Sequence, residues 1–406
     1  MRTFPRRLPV LVAALAALCA PEVEAAECSS LGFKHPVYVT GSSAAKGLLS
    51  AVAKSLAGAT EPVNIVYVSA GSCAGVTAVL GAQTPLTALS TDANPPTYWD
   101  AGGNELKCDL STPVQVHVGI SDVFAETCID LPNGYGAVTD NLGPVQAMTF
   151  VVPNSSPEKS ISAEAAYMIF GFGKDSGVTP WTDEASLFVR SSTSGTLQML
   201  ASAIGVPGTK WKGVAEANSG AVVSAINAAN GAGGTAAAKA IGILSADLAD
   251  ANRLTMRELA YKHYGQNCGW LPDSSAVKFD KANVRNGHYA IWGPIHLLRR
   301  TDVDAANQPY VKLAIDYVTG AQDPPGVDLI AFEAAARVIP QCAMRVQRKA
   351  EMGPLSPFTP VKPCGCYYEY SANAGTSSCK PCSTPADCDS GTTCTKFSGV
   401  GYCEPT

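Results

Sequence analysis

Four times between residues 35 and 206 the chain repeats one order: a β-branched run, a cluster of glycine and hydroxyl residues, then a small-residue stretch with helical spacing. HPVYVT (35–40) leads into Gly41-Ser42-Ser43 and then AAKGLLSAVAKSLAGA. VNIVYVSA (63–70) leads into Gly71-Ser72-Cys73-Ala74-Gly75 and VTAVLGA. VQVHVGI (114–120) is followed by Ser121-Asp122 and VFAETC, which reads as a short helix. ASLFVR (185–190) is followed by Ser191 to Thr196 and LQMLASAIGV. Strands alternating with helices predict an α/β fold rich in parallel strands. In such sheets ligands gather at the carboxyl ends of the strands, where the helices begin.

The composition of those loops points to an anion. The first turn of a helix has unpaired N–H groups and a partial positive charge. Serine and threonine there cap the helix or donate to an oxyanion, and glycine lets the backbone come close. Any one such loop is explained by capping alone. The fourth also carries Arg190, whose guanidinium fork matches two oxygens of a tetrahedral anion, with no acid among the five hydroxyl residues that follow.

These residues resemble the phosphate-binding proteins of bacterial phosphate ABC importers (the PstS type). That family carries Arg-x-x-x-Ser-Gly-Thr, matched by Arg190, Ser194, Gly195 and Thr196. Its Gly-Ser-x-x-Gly-Val loop is similar to Gly71 to Val76, which makes Ser72 the anion-contacting serine. Its Gly-x-Ser-Asp segment is similar to Gly119 to Asp122. Its first loop is similar to Thr40-Gly41-Ser42-Ser43, with the usual threonine falling on Ala44 or Ala45, so Ser43 and the backbone of Ala44 are the contacts implied. The resemblance spans residues 35 to 350. It implies a two-lobed periplasmic-binding-protein type II fold that closes on a hinge, inorganic phosphate or a similar oxyanion as ligand, and an ABC permease as partner. It also implies a role for Asp122: a carboxylate accepts the proton that phosphate retains and repels sulfate, which has none. Capping of VFAETC, or pairing with Arg190, are the structural alternatives for that residue.

The division expected is a signal segment at 1–25, one lobe from 27–147 and 250–355, a second lobe at 148–249, a proline-rich linker at 356–363, and a disulfide module at 364–406. Arg2, Arg6 and Arg7 before the apolar run 8–20, with small residues near Ala25, read as an export signal. The mature protein is therefore expected in the periplasm or outside the cell, as a monomer. Removing three basic and two acidic residues with that segment takes the net charge from −5 to −6, which argues against nucleic acid or an anionic membrane as partner. Of 14 cysteines, seven lie in the last 43 residues, too many for anything but disulfides in an exported chain. Cys379-Lys-Pro-Cys382 is half a zinc motif with no second half, so neither metal nor other cofactor is expected.

Two other readings compete with a binder. Gly71 to Gly75 between a strand and a helix also fits a nucleophile elbow with Cys73 as nucleophile, for which His263, His288 or His296 supplies a base. The cysteine-rich tail, which a plain importer component does not need, fits a surface protein whose body binds another ligand or a protein. The expectation carried forward is a binding protein without enzymatic activity.

Overall fold

The computed structural model describes residues 25–405; residues 1–24, with nearly all of the expected signal segment, and Thr406 lie outside that description. An eleven-stranded mixed sheet forms the backbone of the molecule. On one wing His35–Gly41 lies parallel to both Val63–Val68 and Val118–Ser121. The short antiparallel strands Thr97–Trp99 and Glu105–Lys107 extend its edge. On the other wing Leu187–Arg190 lies parallel to both Val214–Glu216 and Ile241–Ser245.

Antiparallel strands join the wings. Val138–Pro153 pairs with Trp292–Arg300 through its first part and with Ile241–Ser245 through its last. The sheet is thus parallel where strand–helix units build it, since a crossover helix returns each strand in the same direction. It turns antiparallel where one long strand runs from wing to wing. From Gly143 onward every residue of that long strand is buried, as a strand covered on both faces must be.

Helices cover both faces. Lys46–Ala57 and Gln308–Thr319 pack Leu48, Leu49, Val52, Val311 and Ile315 on one face of the first wing, and Ser72–Leu80 packs Val76 and Val79 on the other. In the second wing Gly195–Ile204 buries Leu197, Leu200 and Ile204 beside Phe150 and Val189, while Ser219–Ala232 packs Val222 and Ile226 against Val151 and Leu244. Each such fully buried side chain contributes roughly 1.5–3 kcal/mol.

Two boundaries differ from expectation. Met256–Glu258 pairs with the end of Val138–Pro153, and Ala260–Lys262 pairs with Ser160–Ser162. Residues 250–291 therefore stay with the second wing, and the chain returns near Ile291, whose carbonyl accepts from Met148 N at 3.0 Å. Buried charges hold this segment there: Lys281 Nζ lies 2.5 Å from Asp250 and 2.7 Å from Asp273, and Arg253 reaches the same two carboxylates.

The cysteine-rich segment is also less separate than its composition suggests. Ser356–Pro357 pairs with Val346–Gln347, Cys342–Cys364 fastens the segment to the body, and helix Gly365–Ala372 buries Tyr368 among Ala334, Ile339 and Met344. Cys366–Cys379 ties that helix to the segment after it, and only beyond do Cys382–Cys394 and Cys388–Cys403 staple a hairpin with little core of its own. Among the described residues Cys268 is the cysteine left without a partner, and no helix is long and apolar enough to cross a membrane.

Candidate functional site

At the carboxyl ends of the parallel strands the loops of the two wings touch. Cys73 N donates to Thr193 O at 3.1 Å. Gly71, at φ 94°, lies so close that a Cβ there would sit 2.9 Å from the same carbonyl, which leaves no L side chain a place. A Cβ on Gly195 would collide with Ser72 Oγ and lie 2.8 Å from Asp122 Oδ2. The start of helix Gly195–Ile204 is thus seated directly on the serine and carboxylate of the opposite wing.

On the first wing the polar groups satisfy one another. Ser42 Oγ lies 2.6 Å from each oxygen of the Asp122 carboxylate. Ser72 Oγ donates to Asp122 Oδ2 at 3.2 Å and accepts from Asp122 N at 3.2 Å. Asp122 is buried, and burial pushes its carboxyl up to about 6, against the serine hydrogen bonds and Arg190, which pull it down. It caps no helix: the residue opening the short 3-10 turn Ala125–Thr127 is Phe124. Nor is it in ion-pair contact with Arg190.

On the second wing several polar groups lack partners. Arg190 ends strand Leu187–Arg190 and is 6% exposed. Its Nη1 donates to Ser219 Oγ, at the start of helix Ser219–Ala232, while its Nε is buried with no acceptor. Among the described residues no carboxylate forms an ion pair with it. Burial lowers its pKa, and the charge of Asp122 nearby partly restores it. Ser194 and Thr196 are each 4% exposed, yet neither hydroxyl has a hydrogen-bond partner among the described residues, and Ser194 does not cap the helix it precedes. A buried guanidinium and two unengaged hydroxyls beside a helix N-terminus form a donor set for an oxyanion.

Of the residues singled out in the sequence, Ser72, Asp122, Arg190, Ser194, Gly195 and Thr196 are brought together. The first loop differs by one position. Ser42, not Ser43, is buried against Asp122, and the N–H of Ala44 is taken by Ser42 Oγ at 3.1 Å. Ser43 opens the turn Ser43–Ala45 and is half-buried. Ser219 was missed because it lies 29 residues beyond Arg190; its only local signal is a serine following Asn218, the cap of its helix.

The nucleophile reading fails on Cys73, which is disulfide-bonded to Cys128. That bridge ties the Ser72 helix to the turn after Asp122. His296 is paired with Asp140 at 2.8 Å, and His288 is stacked on Trp270. Both cysteines of Cys379-Lys-Pro-Cys382 are in disulfides and so hold no metal.

The pattern of the PBP superfamily domain matches residues 25–321. The fold is similar to that of a protein assigned as a phosphate ABC transporter substrate-binding protein, with bound phosphate, from Clostridium perfringens: 15% identity, TM-score 0.50, covering 75% of this chain and 99% of that one. An ABC-type phosphate transport receptor from Vibrio cholerae is similar at 12% identity and TM-score 0.47, over 75% of this chain and 99% of that one. A phosphate-binding protein from Stenotrophomonas maltophilia follows at 16% identity and TM-score 0.43, over 78% and 92%. No curated protein matches the sequence.

Proposed function

The chain belongs to the PBP superfamily domain family, and from that premise we propose that it is an exported binding protein for inorganic phosphate, held between the two wings of its sheet. The observation that carries this reading is Arg190: a buried guanidinium with an unpartnered Nε and no acid paired to it. A buried charge without an ion-pair partner is costly, and a bound anion supplies the counter-charge. The hydroxyls of Ser194 and Thr196, free of other partners, add neutral donors of the kind a tetrahedral anion takes up.

Asp122 makes the anion phosphate rather than sulfate, because its carboxylate accepts a proton from the former and repels the latter. Since the loops of the two wings are in contact, entry of the anion requires the wings to part about the joining strands, the hinge motion of a two-lobed binder. Phosphate delivery to an ABC permease from the periplasm is the role this reading implies.

Calorimetric titration of the protein, dialysed against denaturant and refolded to strip copurified anion, tests the proposal. Phosphate should bind one to one, and sulfate at least roughly tenfold more weakly. Equal affinity for both, or no heat with phosphate, overturns it.

A further inference from the structure

A second cleft, of about 910 Å³, lies where the body meets the cysteine-rich segment. Its volume falls within the range of ordinary small-molecule sites. The helix Leu329–Ala335 forms one wall, residues 358–362 another, and Phe397 of the C-terminal hairpin a third. Much of the lining is apolar, with Leu329, Ile330 and Phe358 joining several prolines.

Two acids on that helix behave differently. Asp328 is spoken for: it accepts from Ala331 N at 3.0 Å, from Tyr367 Oη at 2.5 Å and from Ser398 Oγ. Glu333 also lines the cleft and is 3% exposed, yet its carboxyl has no hydrogen-bond donor and no cation among the described residues. The two cations of the cleft, Lys362 and Lys396, are exposed, and Lys362 Nζ sits 4.1 Å over the ring of Phe397 rather than on an acid. Asp323, exposed, is the remaining acid of the lining. The unpartnered Glu333 inside, the two exposed lysines and the apolar lining complement a ligand with a positive end, an apolar middle and a negative end.

We propose that this cleft is a second binding site, for an apolar amino acid or short peptide whose ammonium is received by Glu333 and whose carboxylate is received by Lys362 and Lys396. The site is independent of the anion site between the wings. It gives the cysteine-rich segment a task, since Lys396 and Phe397 belong to its hairpin and Lys362 to its approach.

The chemistry carries a signature. Burial alone pushes the Glu333 carboxyl well above the usual carboxylate range, with no cation near enough to pull it back. A carboxyl so raised takes up a proton more readily than an exposed one, and an arriving ammonium, which favours the ionised form, drives that proton off.

Titration with leucyl-leucine in two buffers of different ionisation heat reads both affinity and proton release. The wild-type protein should bind the dipeptide with net proton release. Acetylating the dipeptide amine should weaken binding roughly tenfold or more and abolish the release, while amidating its carboxyl should weaken binding with the release intact. Glu333→Gln, which removes a buried acid without changing its shape, should keep the melting temperature and lose the proton release. The double variant Lys362→Ala, Lys396→Ala, altered only at exposed positions, should reproduce the effect of the amide. No heat with the dipeptide, or undiminished binding and proton release in Glu333→Gln, overturns the proposal. Phosphate titration of the same variants should be unchanged whatever the outcome.

Discussion

Lys281 and Arg190 are both cations held out of water, and the protein treats them in opposite ways. Lys281, 1% exposed, has Asp250 and Asp273 within 2.7 Å, and Arg253 shares both. Burial alone would lower its pKa, but those acids hold it above the ordinary lysine value. Arg190, 6% exposed, has one serine and no acid, and burial leaves its pKa lowered. A closed set of charges has nothing left to bind, so the Lys281 cluster serves to hold residues 250–291 on the second wing. An open one leaves donors for a ligand, which is the role proposed for Arg190. Buried charge is informative through the partners it lacks.

The comparison is sharpened most by breaking the closed cluster. Lys281→Met leaves Asp250, Asp273 and the half-buried acid Glu258 with only Arg253, and should cost about 3–5 kcal/mol in chemical denaturation. Phosphate affinity of the protein that remains folded should not change. A loss of stability under 1 kcal/mol, within the range of an ordinary surface substitution, would erase the distinction.

Arg190→Ala should do the reverse. Phosphate binding should weaken by roughly 2–5 kcal/mol in calorimetry, since the anion loses its charged partner, while unfolding free energy holds or rises. Arg190→Lys should recover part of the affinity, because an ammonium lacks the planar fork. A loss of affinity below about tenfold for Arg190→Ala removes the arginine from the site.

Asp122→Asn acts on selectivity. Sulfate should gain and phosphate lose little, so discrimination should fall by roughly 1–3 kcal/mol. The wild-type protein carries a matching pH dependence. The folded carboxyl titrates at about 6 against an ordinary 3.8, so its contribution to stability is complete below 3.8 and is lost as pH rises through about 6. Sulfate binding should strengthen as pH falls through the same value, and Asp122→Asn should flatten that response. A pH-independent sulfate affinity in the wild type would detach Asp122 from the ligand.

The smallest effect separates two neighbouring serines. Ser42→Ala removes a hydrogen bond to Asp122 and a cap on Ala44 N, and should cost about 1 kcal/mol of stability. Ser43→Ala should change stability by less than about 0.5 kcal/mol. Equal effects in thermal melts would mean that the loop does not hold Asp122.

The glycine- and hydroxyl-rich loops after the strands were legible because their signals are local. Arg190, Ser194, Gly195 and Thr196 fall within seven residues, and each strand–loop–helix unit states its own polarity. The choice between Ser42 and Ser43 was not, since a one-residue shift at the start of a 3-10 turn exchanges the buried and half-buried positions. The return of the chain near Ile291 was hidden because Met256–Glu258 and Ala260–Lys262 are three residues each, too short for a period to register.

What the sequence determined by itself is what short range decides: the strands, the helix starts that follow them, the glycines at close approaches, and a tail too rich in cysteine to be anything but disulfide-bonded. Only the tertiary structure decided which charges are paired. Arg190 meets Ser219 across 29 residues, Lys281 meets Asp250 across 31, and Asp122 meets Ser42 across 80. The same structure joined Cys73 to Cys128 and drew Tyr368 into the core of the body. Pairing depends on distance in space, and composition and spacing along the chain carry no measure of that until the sheet has brought its two wings together.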